Sequence, residues 1–204
     1  MKKIMFNDRY NLEWMVLKGK KTQTRRVLHR RAQNFAESFG ESHPEAVIKK
    51  YARFQVGEEV AIAQPYKNLI EQGYLCRESD GWVSEKYCTS PGYRNKMFVK
   101  AEYMPHRIRI TGIKVERLQD ISDEDCMAEG VVESPISVEN METHEVGNMA
   151  YVEVKKGKDG SAETIMRVCT SARLAYKALI KAINGEDVWI RNPYVFAYTF
   201  KLIK

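Results

Sequence analysis

The stretch Gly19-Lys20-Lys21-Thr22-Gln23-Thr24-Arg25-Arg26 marks a change of direction that constrains most of what this chain can fold into. Before it, Asp8 to Lys18 reads as an amphipathic helix, with Asn7 or Asp8 able to cap it and Leu12, Met15 and Val16 on one face. Gly19 sits where a helix ends in a left-handed residue, a conformation that carries no Cβ penalty in glycine. After it, Thr22 to Val27 reads as the first strand of a sheet. Lys21, Thr24 and Arg26 therefore leave one turn and its strand together. An amine, a hydroxyl and a guanidinium placed this way can bind an anion or activate an oxygen nucleophile. The same residue types also suit a solvated basic turn.

Charge separates these two uses only in part. The net charge is +6, and Lys18, Lys20, Lys21, Arg25, Arg26, Arg30 and Arg31 fall in a span, residues 18–31, that contains no acid. Such a cluster attracts polyanions, so Lys18, Lys20, Arg25, Arg30 and Arg31 are candidate nucleic-acid contacts whose binding is salt-sensitive. A solvated basic face remains the other reading. Cys76, Cys88, Cys126 and Cys169 form no Cys-x-x-Cys pair, and His29, His43, His106 and His144 are scattered, so neither a metal nor a cofactor is expected. No apolar run approaches the ~20 residues that span a bilayer. The basic amino terminus lacks a hydrophobic signal core, which predicts a cytoplasmic protein with reduced thiols.

At 204 residues the chain suits one domain enlarged by insertions. Residues 28–53 are charged and poorly periodic, part helical around 45–51. Gly57-Glu58 makes a turn, and the apolar run after it a buried strand ending at Gln64. Residues 67–97 form an elaborated loop with a hairpin signal at Asp80-Gly81. Tyr66, Tyr74, Trp82, Tyr87 and Tyr93 there can stack on bases or form the small core of an insertion. Residues 107–118 alternate, break at Gly112 and resume on a new phase, the pattern of a bulged strand in a small closed barrel.

Ser122 caps a short helix that Gly130 ends, with Asp123, Glu124 and Asp125 matching its positive end. Glu129 breaks that rule, since a carboxylate in the last turn is electrostatically unfavourable, and so points to function. Residues 132–170 read as a further insertion containing a hairpin, 150–154 with 163–168. Ser171 caps a helix whose expected buried stripe is Leu174, Ala175, Ala178, Leu179 and Ile183, ended by Gly185. An aromatic strand, Asn192 to Phe200, closes the chain.

The pattern Gly-x-Lys-x-x-Thr-x-Arg, filled by Gly19, Lys21, Thr24 and Arg26, resembles the opening motif of the ASCH superfamily. Further blocks at 57–66, 107–131 and 192–202 follow in matching order. The block Ile110 to Val131 and the Asn192-Pro193-Tyr194 close look most like longer phage- and prophage-encoded members. The resemblance implies an α+β fold: a small PUA-like β-barrel with flanking helices and insertions at about 28–53, 67–97 and 132–170. It also implies an RNA or modified-nucleoside partner. Some bacterial members are metal-independent amidohydrolases that deacetylate N4-acetylcytidine, and their lysine, threonine and glutamate map onto Lys21, Thr24 and Glu129. By the same resemblance Arg26, Gln64, Tyr66, Asn192 and Tyr194 would line the substrate pocket. A non-catalytic RNA or modified-base reader and a phage assembly protein are the alternative roles.

Overall fold

The computed structural model describes residues 1–75, 85–157 and 161–203; the hairpin expected at Asp80-Gly81, with Trp82, and the turn at 158–160 lie outside them. Among the described residues eight strands form two sheets. In chain order the elements are β1 (Lys2–Ile4), α1 (Leu12–Leu17), β2 (Gln23–Val27), α2 (Arg30–Phe39), α3 (Pro44–Tyr51), β3 (Glu59–Ile62), α4 (Tyr66–Glu71) and α5 (Glu85–Cys88). There follow β4 (Arg107–Arg117), α6 (Asp123–Ala128), β5 (Val132–Glu139), β6 (Val146–Lys156), β7 (Ala162–Cys169), α7 (Ala172–Asn184), α8 (Glu186–Arg191) and β8 (Tyr194–Leu202).

The main sheet runs β1-β3-β4-β8-β2. Strand β8, between β4 and β2, sends Tyr194, Phe196, Tyr198 and Phe200 into the main core, and Val195 on the other face meets Tyr176 and Trp189 in a second one. That two-sided burial explains a strand with almost no polar positions. β4 pairs with it antiparallel, and the register slips between Ile110 and Gly112, where a bulge was expected.

The expected barrel does not close. β1 pairs only with β3, in parallel, and β2 only with β8, so each is a sheet edge. The Ile4 carbonyl faces β3 and accepts from Ala63 N–H. Carbonyls alternate in direction along a strand, so those of Lys3 and Met5 face the free edge. Arginine side chains take them: Arg53 donates to Lys3 O at 3.3 Å and Arg26 to Met5 O at 2.6 Å. Arg26 belongs to β2, so one side chain crosses the seam where a closed barrel would have a strand ladder.

Helices cover the sheet. Residues 28–53 form α2 and α3, whose Ala32, Ala36 and Val47 are part of the main core. Gln33 continues the β2–β8 ladder with its amide, donating to Tyr194 O at 2.7 Å and accepting from Tyr194 N at 3.0 Å. Residues 132–169 supply the second sheet, β5-β6-β7, including the expected hairpin. It docks through Tyr151, edge-on to Tyr10, and Glu153, which accepts from Arg9. Tyr66, Tyr87 and Tyr103 pack edge to face with centroids 5.3–6.2 Å apart, the satellite core that such aromatics can form.

Two helix expectations are corrected. The opening helix is interrupted at Asn11, which is left-handed, so a single 3-10 turn over Asp8–Tyr10 precedes α1. Asn7 caps that turn by accepting from Arg9 N–H. In α7 the buried stripe is Ala172, Ala175, Tyr176, Leu179 and Ile180, leaving Leu174 exposed. The stripe keeps helical spacing but is rotated, because Tyr176 fills the space beside Trp189. Among the described residues no helix is long and apolar enough to cross a membrane.

Candidate functional site

Backbone turns at the two ends of the chain's signature stretch bring the site together. Gly19, at φ +67°, turns the chain out of α1, and the Lys20 and Lys21 N–H groups both donate to Met15 O, at 2.9 and 3.1 Å. Thr22 N–H then donates to Ala128 O at 2.9 Å, tying the strand's start to the last turn of α6. Gly130, at φ +108°, lets α6 end against α1; a Cβ there would lie 3.1 Å from Leu12 Cδ2 and 3.2 Å from Met15 Sδ. Lys21 is thereby aimed at the end of α6, where carbonyls carry the negative end of the helix dipole.

Its ammonium donates to Glu129 O at 2.6 Å and to Glu129 Oε2 at 2.5 Å. The side chains are 1% and 6% exposed. The acid that was misplaced by dipole rules is thus matched by a buried cation. Burial pushes the Lys21 amine below its ordinary pKa, Glu129 opposes that shift, and the charges of Arg26 and Arg25 add to it.

Glu129 has a second partner, which corrects one expectation. Arg25 is not a phosphate contact, because its side chain is 1% exposed and engaged by three carboxylates. It donates to Glu116 Oε1 at 2.8 Å, Asp125 Oδ2 at 2.6 Å and Glu129 Oε1 at 3.3 Å. Gln23, on the same face of β2, bridges the set by accepting from Arg25 and donating to Asp125. Burial opposes the Arg25 charge, but Glu129, Glu116 and Asp125 outweigh it and hold the pKa above its ordinary value. Asp125 therefore does more than answer the dipole of α6.

Beside this network lies a cavity of about 160 Å³ walled by Lys21, Thr24, Glu129, Tyr176 and Arg26. The three residues expected to meet do so here, although 108 positions separate Lys21 from Glu129. Thr24 is buried, and among the described residues its hydroxyl has no hydrogen-bond partner. The Tyr176 hydroxyl is fully buried and also without a partner. Burial first, and the Glu129 charge second, raise its pKa well above ordinary, so it is a neutral phenol with a free donor. An amine–carboxylate pair, a free aliphatic hydroxyl and a free phenol around one small space can bind and polarise a carbonyl group.

The other expected pocket residues lie elsewhere. Gln64 is buried and donates to Glu13 Oε1 at 3.1 Å, while its own Oε1 has no partner. Tyr66 accepts from Lys100 N–H at 2.8 Å within the tyrosine cluster. Asn192, left-handed at φ 44°, accepts from Gln119 N–H at 2.8 Å. Tyr194 is buried, with the Arg117 guanidinium 4.0 Å from its ring centre. None of the four lines the Lys21 cavity.

Of the basic cluster, Lys18 and Lys20 are exposed and flank the Trp14 indole at 5.9 and 5.5 Å. Arg30 and Arg31 are exposed on the first turn of α2. Sequence reasoning missed Tyr176, which looked like one more residue of a buried helix. Its hydroxyl was the available signal, since a tyrosine at such a position must place a polar group. Among the described residues no group of three His, Cys, Asp or Glu is disposed to hold a metal ion. Compared with known proteins, the chain matches no family model, no curated sequence and no solved structure.

Proposed function

We propose that the chain is an ASCH-like, PUA-related amidohydrolase acting on an acylated or otherwise modified cytidine-type nucleoside. One observation carries the proposal: the Lys21–Glu129 pair is buried at 2.5 Å in the wall of a cavity that also presents the Thr24 hydroxyl. Desolvating an amine and a carboxylate costs several kcal/mol per ion, so stability alone is a weak reason to keep them. Perturbed, paired ionisable groups at a cavity are the usual setting of acid–base chemistry.

In this mechanism Thr24 Oγ1 attacks the acyl carbon of the substrate amide. Its proton passes to the neutral form of Lys21, which the burial of the amine makes accessible. The oxyanion forms beside the Tyr176 hydroxyl and the Arg26 guanidinium. As the C–N bond breaks, the leaving amine takes a proton from the Lys21–Glu129 pair, and the acyl group remains on Thr24. Water activated by the same pair then cleaves the ester, releasing the carboxylic acid and restoring Thr24. Chromatography of a panel of acylated and modified nucleosides after incubation with the protein tests this directly. Release of cytidine from N4-acetylcytidine is expected, and an unreactive panel counts against the enzyme.

A second reading, a reader of modified bases that performs no chemistry, is favoured by one specific feature. Lys21 already donates to both the carboxylate and the carbonyl of Glu129, so the pair is self-satisfied as a recognition surface would be. On that reading panel members bind, are recovered unchanged, and compete with RNA held by Lys18 and Lys20 beside Trp14.

A further inference from the structure

A second cavity, of about 260 Å³, adjoins the first along the open seam of the sheet. The two share Met5, Arg26 and Val27 in their walls. The outer cavity is floored by the aromatic rings of Phe54, Phe196 and Tyr198, and no acidic residue lines it.

Its cations are Lys3, Arg26 and Arg53. Lys3 points elsewhere, donating to Met97 O and Val99 O. The two arginines are different. Among the described residues neither is in an ion pair; each donates one side-chain hydrogen bond, to the carbonyls of Met5 and Lys3 respectively. A guanidinium has five N–H donors, so most of each fork is left over. Those two carbonyls, of Lys3 in β1 and of Met5 just past its end, are two residues apart, which in extended chain spaces them by roughly 6.5 Å. Each guanidinium also lies over a ring of the core, Arg26 over Phe6 at 6.0 Å and Arg53 over Phe54 at 5.3 Å. Backbone carbonyl and ring hold the two forks without a carboxylate in direct contact; the Glu129 charge acts on Arg26 from the inner cavity and partly offsets it, while Arg53 acts against it. An anion shared by the two arginines relieves their mutual repulsion.

We infer that the outer cavity is a phosphate subsite, and that the ligand is a phosphorylated nucleoside whose base enters the inner cavity while its phosphate is held by Arg26 and Arg53. The placement of the base rests on the function proposed above; the anion subsite does not. Arg26 stands between the two cavities, so it faces the reacting group on one side and the phosphate on the other. The shared chemistry is a phosphate oxygen, from either the monoester of a free nucleotide or the diester of an RNA chain.

Titration calorimetry on the full chain, with inorganic pyrophosphate as the probe, tests the subsite without any nucleoside. Pyrophosphate should bind wild type, and Arg53→Gln should weaken it by ~10-fold, the scale of one charge-assisted fork. Arg53→Lys, which keeps the charge but not the fork, should weaken it by a smaller factor. Absence of pyrophosphate binding, or equal affinity for folded Arg53→Gln, overturns the subsite. Cytidine, cytidine 5′-monophosphate and a short cytidine-containing oligoribonucleotide then identify the source. Tighter binding of the monophosphate than of cytidine, by ~10-fold or more, assigns the monoester, and a gain restricted to the oligonucleotide assigns the diester. Equal affinity for all three overturns the inferred ligand. If pyrophosphate binds and no cytidine compound does, the subsite stands and the proposed function falls.

Discussion

Lys21 and Glu129 are separated by 108 positions and meet in a buried contact of 2.5 Å, to which Arg25 adds itself from the far side of the carboxylate. The arrangement is asymmetric. Without Lys21, Glu129 would still have Arg25, and without Glu129, Arg25 would still have Glu116 and Asp125. Among the described residues Lys21 has no second carboxylate.

That asymmetry predicts an order of stabilities in urea unfolding. Glu129→Leu strands a buried ammonium and should cost ~3–5 kcal/mol. Lys21→Met should cost less, because Glu129 keeps Arg25. The reverse order would mean that Arg25, at 3.3 Å, does not compensate the carboxylate and that Lys21 is its main partner.

Tyr176→Phe separates binding chemistry from packing. The hydroxyl has no partner, so its removal should leave the melting temperature unchanged or slightly raised. Turnover of an acylated nucleoside should fall by ~10²-fold, as for loss of an oxyanion donor. A large drop in stability with turnover intact would show the phenol to be structural.

Glu13 gives the fold a pH dependence of its own. Burial pushes its carboxyl up to about 7, with Lys96 working against the shift and Asp8 adding to it. A carboxyl raised on folding binds more protons in the native state, so its contribution is full below the ordinary value of 4.5 and is lost as pH rises to about 7. Melting temperature should therefore decline across that window in wild type. Glu13→Gln, which can keep a hydrogen bond to Gln64, should flatten the decline; an unchanged profile would exonerate Glu13.

Nucleic-acid binding, if carried by the exposed cluster, runs through Lys18, Lys20, Arg30 and Arg31 and leaves out Arg25. Affinity for single-stranded RNA should fall with salt, each contact adding ~0.7 to the slope. Lys18→Gln with Lys20→Gln should reduce that slope, whereas Arg25→Gln should chiefly lower stability. A slope untouched by the lysine pair would make them a solvated face.

Local punctuation was legible in the sequence, and long-range closure was not. Ser122, Gly130, Ser171 and Gly185 bound their helices as their chemistry predicts, and the Gly112 bulge follows from a phase change visible in the sequence itself. The misfit of Glu129 with its helix end marked it as functional, and only the motif resemblance linked it to Lys21. Arg25 was misread because its partners, Glu116 and Asp125, lie on other elements, and an acid-free run says nothing about acids brought in from a distance. The barrel was over-read for a similar reason. Strand pattern cannot show that the free carbonyls of Lys3 and Met5 are taken by arginine side chains instead of by another strand.

The most direct test of the central claim is the rate of N4-acetylcytidine hydrolysis by Thr24→Ala beside wild type, with both melting curves recorded. The substitution removes the hydroxyl and leaves the Lys21–Glu129 pair in place. Wild type should hydrolyse the substrate, Thr24→Ala should lose ~10³-fold or more, and the two melting temperatures should nearly coincide. Hydrolysis by Thr24→Ala at close to the wild-type rate would contradict that claim.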